Sequence, residues 1–369
     1  MKRRTFIHMG LIAVPVAGGI IACNQTPNPQ PTETASPLSS DLMIKIGSIL
    51  TLTGPAALLG QEMQKGQQLA AEYWKSKGAN VEIVFEDSKN QPRDGLSAFQ
   101  SLKARGIRLF TVNGSGVALA IKPEIKENES TLLALAAHPG ITAPVQPGVF
   151  RYSTTAVGEA AALFDWIQKA GSTGTVLLFH SADDYGLAFA NALQASLKTA
   201  NIPIVVKPYR REDVPEMRSL VQSTVPQGSY LPVVVGVGQP MAQVITVLRS
   251  IGYQGTVLAN IGYALTGVQQ QLGTQAGKIA YIEIDLPQNP DLKVVAEQYK
   301  ASFNQNITPD ASIGFNAVSM IVTAVLNLNS NDTEKLNSEF LNQIKIYLDI
   351  NDTNIMNNEV VVKVKVRET

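Results

Sequence analysis

The sequence predicts an α/β protein built as two doubly wound lobes of parallel sheet, and three observations point there. Short apolar runs rich in Val, Ile and Leu alternate with stretches of helical periodicity along most of the chain. These runs are continuous rather than alternating, as suits parallel strands covered on both faces. The βα units are also too many for one open sheet, and about 330 residues of body is the length of two domains.

The units follow in order. Strand Met43–Ile49 precedes a helix over Gln61–Lys77, in which Leu69, Ala70, Tyr73 and Trp74 recur at helical spacing. Strand Val81–Phe85, helix Gly95–Ala104, strand Arg108–Val112, helix Val117–Lys126 and strand Thr131–Ala134 complete a first series. The second series opens with helix Glu159–Lys169, strand Thr175–Phe179, helix Gly186–Thr199 and strand Ile204–Val206. Helix Pro215–Ser223, strand Leu231–Val235, helix Met241–Ile251 and strands Thr256–Ala259 and Lys278–Ile282 continue it. Helices Pro290–Phe303, Ile313–Leu326 and Glu334–Gln343 and a C-terminal strand Val360–Val366 close the chain.

The start of the chain reads as an address. Lys2, Arg3 and Arg4 precede an apolar run, Phe6–Ala22, that is broken by Pro15, Gly18 and Gly19 and ends in Ile20-Ile21-Ala22-Cys23. A basic start, a short apolar stretch and small residues before a cut site make a secretory signal. The run falls short of the roughly 20 residues that span a bilayer. Cys23 is the only cysteine, which rules out an internal disulfide framework and a cysteine-rich metal site. The stretch resembles the bacterial lipobox, which implies residues 1–22 as signal peptide and Cys23 as the lipidated N-terminus; the other reading is an ordinary signal with an incidental cysteine. Arg3-Arg4-Thr5-Phe6-Ile7 resembles the twin-arginine export signal, and the general-secretion route stands beside it. Residues 23–41 hold Pro27, Pro29, Pro31 and Pro37 among polar residues, the composition of a flexible tether.

Removing residues 1–22 takes away three basic residues and no acid, which leaves 27 Lys+Arg against 30 Asp+Glu, a net charge of −3. That balance carries no footprint for nucleic acid. With 45% hydrophobic residues there is material for two cores.

Several local patterns belong together: Ile46-Gly47-Ser48 leading to Leu52-Thr53-Gly54-Pro55, Gly60 and Gly66, Phe85-Glu86-Asp87, Asn113-Gly114-Ser115-Gly116, Phe150-Arg151, Asp183-Asp184-Tyr185-Gly186 and Gly314-Phe315-Asn316-Ala317. In that order and at those intervals they resemble the leucine/isoleucine/valine-binding proteins of bacterial ABC importers, of the periplasmic binding protein type I fold. The resemblance implies two lobes joined by three crossings with a ligand cleft between them. Lobe 1 would be residues 42–153 plus 288–345, and lobe 2 residues 154–287 plus 346–369. It further implies lobe closure on a branched-chain amino acid or related small carboxylate or amide. A lipid-anchored monomer would deliver that ligand to the permease subunits of an importer on the outer face of the inner membrane. A sensor that presents its ligand to a membrane receptor has the same fold and stays open.

The same resemblance proposes the site. Ser115 stands where the family grips the ligand carboxylate, at a helix start whose free N–H groups favour an anion; a plain capping serine is the alternative. Ala136 and Ala137 lie on the next strand-end loop, and the threonine hydroxyl common in the family is missing at Ala137. His138 on that loop and His180 at a strand end are further candidates. Tyr185 matches a tyrosine that reaches in from the second lobe, while Asp183 and Asp184 read as caps of its helix. Leu59, Gly238 and Ile261 complete the expected contacts. Two of these depart from the family: the aromatic expected at Gly238 is absent, and Ile261 replaces the glutamate that pairs with a ligand ammonium. Glu283 or Asp285 would then have to supply the counter-ion, or the ligand would lack the ammonium.

No cofactor or metal is expected. Gly236-Val237-Gly238 lacks the third glycine of a dinucleotide fingerprint, and three scattered histidines do not make a metal site. No Gly-x-Ser-x-Gly elbow surrounds Ser115, so an enzyme is not expected; a hydrolase pairing Ser115 with His138 or His180 is the residual alternative.

Overall fold

The computed structural model describes residues 42–171, 174–265, 267–285, 290–348, 355–356, 359–361 and 363–369. The signal, Cys23 and the tether up to residue 41 lie outside them.

Ten strands come from the βα series: β1 (Met43–Leu50), β2 (Asn80–Asp87), β3 (Leu109–Asn113), β4 (Thr131–Leu135), β5 (Val149–Ser153), β6 (Thr175–Ser181), β7 (Ile204–Tyr209), β8 (Tyr230–Val235), β9 (Val257–Ala259) and β10 (Ile279–Asp285). Three more lie at the C-terminal end: β11 (Ile355–Met356), β12 (Glu359–Val361) and β13 (Lys363–Glu368). They form two sheets, ordered β11-β12-β5-β4-β3-β1-β2 and β13-β10-β9-β8-β6-β7. β1 to β5 and β6 to β10 therefore repeat one parallel topology, each reversing direction beside its first strand. Such a switch point, beyond the carboxyl ends of the strands, is where open α/β sheets bind ligands.

The helices are α1 (Ala57–Ser76), α2 (Pro92–Ala104), α3 (Ser115–Ile121), α4 (Ala156–Lys169), α5 (Asp184–Thr199), α6 (Met217–Thr224), α7 (Gly238–Ser250), α8 (Gly262–Leu265), α9 (Val268–Leu272), α10 (Pro290–Phe303), α11 (Pro309–Leu328) and α12 (Thr333–Leu348). Four apolar clusters cover the two faces of the two sheets. On the first sheet, Ile44 and Ile46 pack with α1 and α11, whereas Ile49, Phe110 and Val112 pack with α2 and α3 on the other face. The period of two along a strand sends neighbouring side chains to opposite faces. α11 is long and apolar enough to cross a membrane, yet it is largely buried as the core helix against α1. The two approach so closely that a Cβ at Gly66 would stand 1.8 Å from the carbonyl oxygen of Ala311, and one at Gly314 would stand 2.2 Å from that of Met63.

The chain changes sheets three times: between β5 and α4, between β10 and α10, and between β12 and β13. The expected single strand Val360–Val366 is thus two, because β12 joins β5 in the first sheet while β13 pairs antiparallel with β10 in the second. β11 and β12 accordingly belong with the first sheet, and of the three C-terminal strands only β13 with the second. β5 carries the fully buried Arg151 in mid-strand, which breaks the apolar run that would have marked it. The start of the expected helix Pro215–Ser223 is a 3-10 turn over Arg211–Glu216 that runs into α6.

Candidate functional site

The strand ends of the two switch points face one another across a cavity of about 160 Å³. A single water needs only about 10–15 Å³ by this measure, so the cavity is of small-molecule size. Lobe 1 contributes Thr51, Leu59, Met63, Ser115, Ala136 and Ala137. Lobe 2 contributes Tyr185, Val237, Asn260, Ile261 and Leu265, and the crossings add Thr154 and Ile284. The walls are mostly apolar with a few polar groups, as in small-molecule sites generally.

The lobes touch at the rim. A Cβ at Gly116 would lie 2.6 Å from Oδ2 of Asp184, and one at Gly238 would lie 2.1 Å from the carbonyl oxygen of Pro55. Gly238 also has φ +64 at the start of α7, a backbone that side chains rarely adopt. Its place is therefore a contact between lobes, beside the cavity rather than in its lining.

A polar network forms the lobe 2 wall. Glu159, on the first turn of α4, is fully buried. Thr154 Oγ1 donates to its Oε1 at 2.6 Å and Tyr185 Oη to its Oε2 at 2.7 Å. The backbone N–H of Ile261 donates to the same carboxylate. Asn260 Nδ2 donates to Tyr185 Oη at 2.9 Å and its Oδ1 accepts from the Gly236 N–H at 3.0 Å. Burial pushes the Glu159 carboxyl above its ordinary range, against the lowering effect of these donors. The Tyr185 phenol is pushed up by burial and by the adjacent Glu159.

Beside Ile261 the wall thus carries the Glu159 carboxyl of α4, its oxygens met by donors of the protein itself. Glu283, expected as a counter-ion, does not line the cavity: it takes Arg367 Nη1 of β13 at 2.8 Å, while Ile284 next to it on β10 turns into the cavity. The side chain of Asp285 lies outside the described residues.

The other expected residues separate into two groups. Leu59, Ser115, Ala136, Ala137, Tyr185 and Ile261 meet at the cavity. Ser115 is the first residue of the seven-residue α3, with Gly114 (φ 91) in the capping position. The Ala137 carbonyl is occupied, accepting from the Ala156 N–H at 2.9 Å and Arg151 Nη1 at 3.2 Å. His138 Nδ1 accepts from the Gly140 N–H at 2.9 Å and His180 Nδ1 lies 2.9 Å from the Ser181 carbonyl; neither ring lines the cavity. Asp183 caps α5, accepting from the Gly186 N–H and Ser181 Oγ, each at 2.9 Å, and it lines the cavity together with Asp184.

Sequence reasoning missed Glu159 and Asp310. Asp310, on the first turn of α11, is fully buried at the cavity wall. Burial, with the charge of Glu62 adding to it, holds its carboxyl well above the usual carboxylate range. Both acids follow threonine caps, Thr155 and Thr308, and first-turn acids after a cap look like ordinary helix starts.

Comparison with known proteins agrees with this architecture. A Brucella melitensis protein named Leu/Ile/Val-binding protein homolog 3 is 27% identical over 299 residues, covering 78% of this chain and 80% of that protein. The substrate-binding protein of a Streptococcus pneumoniae branched-chain amino acid transporter, solved with isoleucine, shares the fold with a TM-score of 0.74 at 18% identity, over 89% of this chain and 100% of that one. A leucine-binding protein of Thermotoga maritima does so with a TM-score of 0.70 at 21% identity, over 81% and 87%. The family described as periplasmic binding proteins matches residues 43–359. With its two like-wound lobes and the cavity between their strand ends, the chain belongs to the periplasmic binding protein family.

Proposed function

We propose that this chain is the extracytoplasmic solute-binding lipoprotein of an ABC importer. It holds a branched-chain amino acid or related small carboxylate or amide between its lobes and passes it to the permease subunits as a monomer. The observation that carries this reading is the cavity itself: small, mostly apolar, lined by both lobes, and set at both switch points. The names of the relatives support the ligand class. In this reading Ser115 and the neighbouring N–H groups receive a carboxylate, Tyr185 and Ile261 close over the solute, and Leu59 and Ile284 supply apolar contact. The lobes, 42–153 with 288–345 and 154–287 with the C-terminal strand, turn about crossings near Ser153 and Pro287, the latter outside the described residues. Cys23, also outside them, carries the lipid that holds the body to the outer face of the inner membrane.

Catalysis has no support here, since neither His138 nor His180 lines the cavity with Ser115. Calorimetry with leucine, isoleucine, the 2-oxo acid of leucine, phenylalanine and benzoate tests the reading. One ligand bound per chain, recovered unchanged, is the expected result. Conversion of the ligand, or no saturable binding by any of them, contradicts it.

A further inference from the structure

Asp310 differs from every other acid in the cleft. Both of its carboxylate oxygens are buried and have no hydrogen-bond partner. Glu159 has three donors, Asp183 has two, and Glu62 behind Asp310 accepts from Lys65, Tyr299 and Thr308. A first-turn acid ordinarily faces solvent and complements the helix dipole. This one has no exposed surface and stands at the cavity wall, to which Met63 of α1 and Ile313 of α11 also contribute. A buried carboxylate without a partner is costly, and buried charges are found paired.

The cavity is polarised. Among the described residues no Lys, Arg or His lines it, whereas Glu159, Asp183, Asp184 and Asp310 do. The buried cation nearby, Arg151, lies behind the Ala137 loop and donates to the carbonyls of Ala137 and His138. Ser115 begins a helix on one face of the first sheet, and Asp310 lies at the start of a helix on the other. Asp310 therefore stands on the other side of the first sheet from Ser115, away from the rim where Asp184 meets Gly116.

We propose that Asp310 is a ligand-binding carboxylate that pairs with a positively charged group at the end of the solute remote from Ser115. The solute class is then an amino acid with a basic side chain, or an ω-amino acid, in preference to a purely aliphatic one. This rests on the solute-binding reading and narrows it. Burial, with Glu62 adding to it, raises the Asp310 carboxyl above the usual carboxylate range. An entering ammonium favours the ionised form, so the carboxyl proton passes to solvent as the ion pair forms.

Calorimetry on the mature chain tests this with matched pairs in which a methyl replaces the terminal ammonium: γ-aminobutyrate and valerate, ornithine and norleucine, lysine and 2-aminoheptanoate. Leucine and isoleucine serve as aliphatic references. In at least one pair the amine binds roughly thirtyfold tighter than its isostere, the scale of a buried charge pair. That binding releases up to one proton, read from buffers of different ionisation enthalpy. Asp310→Asn abolishes the preference and the proton release while still binding the isostere, which also shows that the variant is folded. If the variant does not fold, proton release in the unaltered protein decides. Equal or tighter binding of the isostere in every pair, or an amine preference that survives in Asp310→Asn, overturns the proposal. Leucine binding with no amine preference removes this proposal alone, and no binding by any probe removes the solute-binding reading with it.

Discussion

The hydroxyl of Tyr185 donates to the buried carboxyl of Glu159 at 2.7 Å, joining the first turns of α4 and α5. With Thr154 and the Ile261 N–H on the same carboxyl, one acid ties a crossing, two helices and the loop after β9 together. Glu159→Ala leaves three buried donors without that acceptor and is expected to cost about 3 kcal/mol, at roughly 1–3 kcal/mol for each group left unsatisfied. Tyr185→Phe takes one donor from Glu159 and leaves Asn260 Nδ2 without its acceptor, and should cost about 2 kcal/mol. Chemical denaturation measures both. A Glu159→Ala loss no greater than that of Tyr185→Phe would show that the network does not hold the wall.

Gly238 tests closure. Its hydrogen occupies the space where a Cβ would lie 2.1 Å from the Pro55 carbonyl, a contact made only while the lobes meet. Gly238→Ala adds that clash and the strain of φ +64, the latter about 1–2 kcal/mol. Ligand affinity is expected to fall by at least about tenfold. The unfolding midpoint of the empty protein should fall only by the strain. Unchanged affinity would mean that bound lobes do not approach at Pro55.

Asp310 gives a pH dependence with a definite sign. Its folded pKa is raised above the ordinary value of 3.8 by burial, then by Glu62. The folded state therefore holds the proton more tightly than the unfolded one. The stability tied to that proton is complete below 3.8 and is lost as pH rises towards the folded value. Asp310→Asn removes the titration, so the empty variant should melt a few degrees above the unaltered protein at neutral pH. That gap should close as the pH falls towards 4. A gap that is constant with pH would place the proton elsewhere.

The anchor is tested at Cys23. Cys23→Ser should leave an unprocessed precursor or a form no longer held by acyl chains, since stable anchoring needs two such attachments. Membrane fractionation reads the outcome. Mature Cys23→Ser protein that stays firmly membrane-bound would contradict lipidation there.

Much of the fold was legible because its strands are buried on both faces and its helices are amphipathic, so that runs such as Val81–Phe85 and Thr175–Phe179 stand out. Arg151 hid β5, since a charged residue in mid-strand reads as a loop until its donors are seen to meet the Ala137 and His138 carbonyls. Val360–Val366 is one valine-rich run across the point where the chain changes sheets, so composition gives no sign of the break. At the site, Leu59, Ser115, Ala136, Ala137, Tyr185 and Ile261, carried over by resemblance, meet at the cavity, while Gly238 stands beside it. The acids were obscured because their roles are set by distance in space. Glu159 comes to the loop holding Ile261 from α4, far away in sequence, and strand alternation turns Glu283 away while bringing Ile284 in. Asp310 looks like a first-turn acid until its burial is known.

Small-angle X-ray scattering on the mature chain, empty and then saturated with whichever probe calorimetry identifies, tests the central claim most directly. Lobe closure about the crossings predicts a smaller radius of gyration in the saturated sample, because the ligand binds the closed form better and shifts the population towards it. A radius that stays the same while calorimetry shows the site filled would contradict capture by closure.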